Sequence, residues 1–86
     1  MKGKLSKNKI TNAIVKRKIL KDLPTLDLPY YDPKKVVFRH HTDRWIEAEM
    51  TFCIPNDSWM KLTKYCIENK YYISYDQGHV DITSFR

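Results

Sequence analysis

The chain has 86 residues, with 16 Lys and Arg against 10 Asp and Glu for a formal charge of +6, and 42% of it is apolar. That describes one small domain with enough apolar side chains for a core, which excludes wholesale disorder. No apolar run reaches the roughly 18–20 residues that cross a bilayer, and Lys and Arg interrupt the start too often for the roughly 7–15-residue apolar stretch of a signal peptide. The expected location is therefore cytoplasmic, with Cys53 and Cys66 as reduced thiols rather than a disulfide.

The charge is uneven along the chain. Residues 1–21 hold eight basic residues (Lys2, Lys4, Lys7, Lys9, Lys16, Arg17, Lys18, Lys21) and no Asp or Glu, whereas residues 22–86 hold eight basic and all ten acidic ones, a net of −2. An undiluted basic segment on a balanced domain points to a polyanion as partner. Nucleic acid is the first such polyanion, because each phosphate contact by Lys or Arg releases condensed counterions.

In chain order, residues 6–21 read as a helix with Ser6 as cap. Ile10, Ala13, Ile14 and Leu20 form one apolar face, while Val15 and Ile19 lie opposite. Residues 22–34 form a Pro-rich connector in which Pro24, Pro29 and Pro33 work against regular hydrogen bonding. Its Leu23, Leu26, Leu28, Tyr30 and Tyr31 are expected to tuck against the domain. From residue 35 onward a compact domain is expected. Residues 36–40 are a strand, residues 41–43 a turn, and residues 44–54 a second strand with the clearest period of two in the chain. Ile46, Ala48, Met50, Phe52 and Ile54 fall on its inner face and Trp45, Glu47, Glu49, Thr51 and Cys53 on its outer face. Asn56 or Asp57 then caps a helix with Trp59, Leu62, Thr63 and Cys66 inward and Asn69 as its left-handed stop. Residues 71–75 and 79–85 are strands joined by a short loop in which Gly78 supplies a positive φ. The fold class is α+β: an N-terminal basic helix, then β-β-α-β-β with one antiparallel sheet and a helix packed on one face.

Lys7, Lys9, Lys16, Arg17, Lys18 and Lys21 are the candidate phosphate contacts, with Lys34, Lys35, Arg39 and Arg44 extending the track onto the domain. Trp45, Tyr71, Tyr72 and Tyr75, with Phe85, are candidates for base stacking. Strand propensity and cross-strand packing account for the same aromatic residues without any ligand. His40, His41 and His79, with Asp43, Asp81 or Lys70, contain the groups that acid–base cleavage of RNA requires. Their spacing carries no signature, and the chain reads as a non-enzyme. Cys53 and Cys66 lack the paired spacing of a zinc site. With only Gly3 and Gly78 there is no phosphate-cradling loop, so no cofactor or metal is expected. RNA is preferred over DNA because the aromatic surface suits unstacked bases. The competing reading is a protein-interaction inhibitor whose basic helix docks on an acidic protein surface. Free sheet edges leave room for a homodimer.

The Lys-rich start, the many Tyr, Ile and Asn and the scarcity of Gly resemble the small early proteins of large tailed phages. In size and charge the chain is similar to the TifA-type inhibitors of a toxin–antitoxin endoribonuclease. That resemblance implies a protein of the host cytoplasm that binds RNA, together with a partner protein, and antagonises a host defence ribonuclease.

Overall fold

The alternation over residues 45–51 builds the strand that organises the sheet. The computed structural model describes residues 10–51, 56–76 and 78–86. Within them lie a helix α1 (Asn12–Asp22), 3-10 turns at Leu23–Leu26 and Pro33–Lys35, strands β1 (Val37–Thr42) and β2 (Trp45–Thr51), helix α2 (Asn56–Asn69), and strands β3 (Tyr72–Asp76) and β4 (His79–Phe85). The four strands form one antiparallel sheet in the order β1-β2-β4-β3. This is the expected α+β architecture of helix, two strands, helix, two strands.

Ile46, Ala48 and Met50 of β2 stand directly opposite Ser84, Ile82 and Val80 of β4, and all six are buried. One face of the sheet is therefore apolar at its centre, and both helices cover it. Val15 and Ile19 of α1 and Leu62, Tyr65 and Cys66 of α2 share a single core with the two central strands. The expected outer face of β2 also holds, since Trp45, Glu47, Glu49 and Thr51 alternate with the buried positions. Phe52, Cys53 and Ile54 lie outside the described residues, as does Ser6.

Several local expectations are corrected. Ile10 and Thr11 are not helical, and the Thr11 hydroxyl accepts from the Ile14 amide to cap α1. The buried stripe of α1 is Val15 and Ile19, continued by Leu23 of the following 3-10 turn, while Ile10 and Ile14 are exposed. The residues at 15, 19 and 23 repeat every four positions and so stack on one helical face. That stripe is missed if the helix is ended at residue 21. The connector is more regular than its prolines suggest, because Pro24 and Pro33 each sit at the start of a 3-10 turn, where a missing N–H costs nothing. Leu23 and Leu28 are buried and Leu26 and Tyr31 packed, but Tyr30 is exposed at φ 68°.

β1 runs on through His41 to Thr42 with an irregularity between His40 and Thr42, leaving Asp43 and Arg44 as the turn. In α2, Asn56 and Asp57 lie within the first turn rather than capping it, and Ser58 and Tyr65 join the buried face on which Trp59 and Thr63 are only half-buried. The left-handed stop is Lys70, at φ 60°, and Asn69 remains helical, its amide donating to the Tyr65 carbonyl. Gly78 takes the expected positive φ of 90°. No helix among the described residues is long and apolar enough to cross a membrane.

Ile19 separates a helix built into the core from a detached arm. Ile19→Ala is expected to cost about 2–4 kcal/mol in urea unfolding through the cavity it leaves, and Ile14→Ala less than about 1 kcal/mol at an exposed site. Equal, negligible costs for both would show that α1 does not belong to the cooperative unit.

Candidate nucleic-acid interface

The sequence places α1 by one polar anchor. Asn12, 7% exposed, donates through Nδ2 to the Thr42 carbonyl at 2.6 Å and to His40 Nδ1 at 3.3 Å, while its Oδ1 accepts from the Arg86 guanidinium. Further along, the Lys16 ammonium lies 5.4 Å from the centre of the Phe38 ring. The helix therefore runs antiparallel to β1, from Thr42 back towards Phe38.

The other flank of α1 faces α2. Lys18 Nζ and Tyr65 Oη both donate to Asp22 Oδ2, each at 2.8 Å, and Lys61 Nζ donates to the Asp27 carbonyl at 3.2 Å. Burial pushes the Asp22 carboxyl up, but the bonds from Lys18 and Tyr65 and the charges of Lys18 and Lys21 outweigh it, so the net displacement is downward. The same hydrogen bond raises the Lys18 ammonium. Lys16 and Lys18 thus occupy the two flanks, and Arg17 and Lys21 project from the solvent side.

The opposite face of the sheet has another character. No described helix covers it, and Glu47, Glu49, Asp76 and Asp81 lie on it with Arg39, His41 and His79. Arg39 is engaged by Glu49, and His41 Nε2 lies 2.9 Å from Glu47 Oε1. The hydrogen bond with His41 is the main cause that lowers the Glu47 carboxyl. Asp81 is raised, first by burial and then by its hydrogen bond with Glu47. Arg39 is consequently held among carboxylates, away from Arg17 and Lys21. Arg44 is exposed at the β1–β2 turn, where its carbonyl accepts from the Arg86 amide. Lys34 and Lys35 are exposed just before β1, and Lys7 and Lys9 lie outside the described residues.

The four stacking candidates are not brought onto one platform. Trp45 and Tyr72 lie on the open face, where the Trp45 ring meets His41 at 4.4 Å and Phe85 at 5.5 Å. Tyr71 and Tyr75 turn to the helix side, Tyr71 against Tyr65 at 5.9 Å and Tyr75 against Trp59 at 5.3 Å. Alternation along residues 71–75 carried this signal, since Tyr71 and Tyr72 must point to opposite sides.

Nor do the three imidazoles converge. His40 faces α1, His41 sits beside Trp45, and His79 lies at the far end of the open face, 3.3 Å from the Thr51 hydroxyl. Burial pushes the Cys66 thiol up to about 12, and Cys53 lies outside the described residues. Among the described residues no three His, Cys, Asp or Glu side chains gather as metal ligands. Sequence reasoning passed over Asp22 and Arg86, and it offers Asn12 as a residue able to bond phosphate or sugar oxygens, whereas the structure buries it as the anchor of α1. A polar side chain on an apolar helical stripe was the available sign for Asn12, and nothing local marked the other two.

The raised Asp81 carboxyl makes a testable pH effect. An acid whose folded pKa lies above its unfolded one favours folding while protonated, and that stability is lost as pH rises through the shifted range. Asp81→Asn is expected to be more stable than the parent at pH 7 in chemical denaturation. The difference should close as pH falls below about 4, the ordinary range of an aspartate; a gain that persisted there would exclude charge as its cause. No family model matches the chain, and neither a curated protein nor a solved structure matches it.

Proposed function

We propose that the protein is a non-enzymatic RNA-binding protein that engages phosphates through its helix side. The observation that carries this reading is the sidedness of charge. Residues 10–35 and 56–70, which make up the helix layer, hold nine Lys and Arg against five Asp and Glu, whereas the open sheet face sets Arg39 against Glu47, Glu49, Asp76 and Asp81. A polyanion is attracted to the first surface and repelled by the second.

Arg17 and Lys21 on the outer side of α1, Lys16 on its β1 flank, and Lys34 and Lys35 in the turn before β1 form the core of the interface. Among the described residues none of these five has a carboxylate within ion-pair distance, in contrast to Lys18 and Arg39. Cations without a carboxylate partner need no ion pair broken before they meet phosphate. Contacts of this kind carry little sequence information and are steeply salt-dependent. Lys7 and Lys9 add charge at the same end of the chain.

The test is fluorescence anisotropy with labelled single-stranded RNA across a salt series. Arg17→Gln with Lys21→Gln is expected to flatten the log–log salt slope by about 0.7 for each phosphate no longer neutralised. Arg39→Gln should leave the slope unchanged. Absence of binding at low salt by the folded protein would overturn the reading and turn attention to acidic protein partners.

A further inference from the structure

Beside the outer face of α1 a cleft of about 480 Å³ opens between the first half of α1, the corner from α2 into β3, and the end of β4. That volume lies within the range of small-ligand sites. Ile10, Ile14, Val15 and Tyr71 give it apolar walls, and Lys18, Lys70 and Arg86 line it with positive charge. Two of these apolar side chains are open to solvent, Ile10 at 57% and Ile14 at 40%.

The cations of this cleft are unequal. Lys18 is committed to Asp22. Arg86 is half-buried and held by neutral oxygens alone, donating to Ser84 Oγ at 2.9 Å, Asn12 Oδ1 at 2.5 Å and the Asp43 carbonyl at 3.3 Å. Its Nε is buried without a hydrogen-bond partner, and among the described residues no carboxylate lies within ion-pair distance. A half-buried guanidinium with no side-chain carboxylate beside it favours an incoming anion. Lys70 is exposed and equally unpaired, and it occupies a left-handed conformation that a glycine would adopt more easily.

We propose that this cleft takes one unstacked nucleotide of single-stranded RNA, an inference that rests on the RNA-binding reading above. The base enters among Ile10, Ile14 and Tyr71, and an adjoining phosphate meets Lys70 and Arg86. The cleft is contiguous with the phosphate-binding face, because Ile14 and Lys18 lie three residues before Arg17 and Lys21 and so neighbour them on the helix. A base has a π-face and an apolar plane that such walls accept, and only a strand whose bases are free can supply one. The helix side therefore distinguishes single strands from duplexes, which charge alone does not.

The experiment uses the full chain with two probes, a ten-nucleotide single-stranded RNA carrying one central 2-aminopurine and the same strand paired with its complement. Binding is read by anisotropy of an end label and by the 2-aminopurine emission. The wild type is expected to bind the single strand about tenfold more tightly than the duplex, with a saturable change in 2-aminopurine emission. Ile14→Gln, which keeps charge and helix propensity, should remove that emission change and the preference while leaving duplex affinity unaltered. Lys70→Gly should weaken single-strand binding in a protein at least as stable as the parent, so unfolding does not explain the loss. Equal affinity for both probes, or an Ile14→Gln variant indistinguishable from wild type, overturns the cleft and leaves the RNA-binding reading standing. No binding of either probe overturns that reading itself.

Discussion

A sheet with one apolar face must place everything that covers it on the same side, and this constraint organises the protein. The inner residues of β2 and β4 meet in direct register, Ala48 against Ile82 at the centre. The apolar stripe of α1 and that of α2 have only this surface on which to bury. Packing them side by side brings Asp22 to Tyr65 and Lys61 to the Asp27 carbonyl, which fixes one helix against the other. The polar positions of the strands are left facing outward with no described helix over them.

Segregation of charge follows from that arrangement. The helices expose their polar sides away from the sheet, and those sides are rich in Lys and Arg. The outward strand positions are instead rich in carboxylates, which occupy themselves with Arg39 and His41 and with one another. Among the described residues the result is a charge dipole between the helix layer and the open sheet face. Such a dipole orients a protein as it approaches a charged partner and raises the fraction of encounters that present the correct side.

The parts legible in the sequence were those written in a strict period. Residues 45–51 alternate without a fault, and Gly78 marks its turn by the one backbone region glycine favours. Helix α1 was harder to read because two apolar faces competed, and the decisive third member, Leu23, belongs to the next element. Lys70 in a left-handed conformation defeats a rule that expects Asn or Gly there. The cation track was only partly legible: sequence shows that Arg39 is basic, but register determines that it stands among Glu47 and Glu49 on the far side of the sheet. Arg86 was beyond reach altogether, since its role depends on Asn12, 74 residues earlier in the chain.

The order of the strands also has a consequence for how the chain is made. β4 is the last strand in sequence yet lies between β2 and β3. Until a ribosome has delivered the residues beyond Gly78, β2 and β3 have no partner between them, and the apolar faces of both helices lack half of their floor. Cooperative folding must therefore wait for the final strand, and until it emerges the nascent chain exposes Ile46, Ala48 and Met50 along an unpaired edge. Non-local pairing of this kind is slow to form, so the interval between synthesis and folding is when the chain is most open to aggregation or proteolysis.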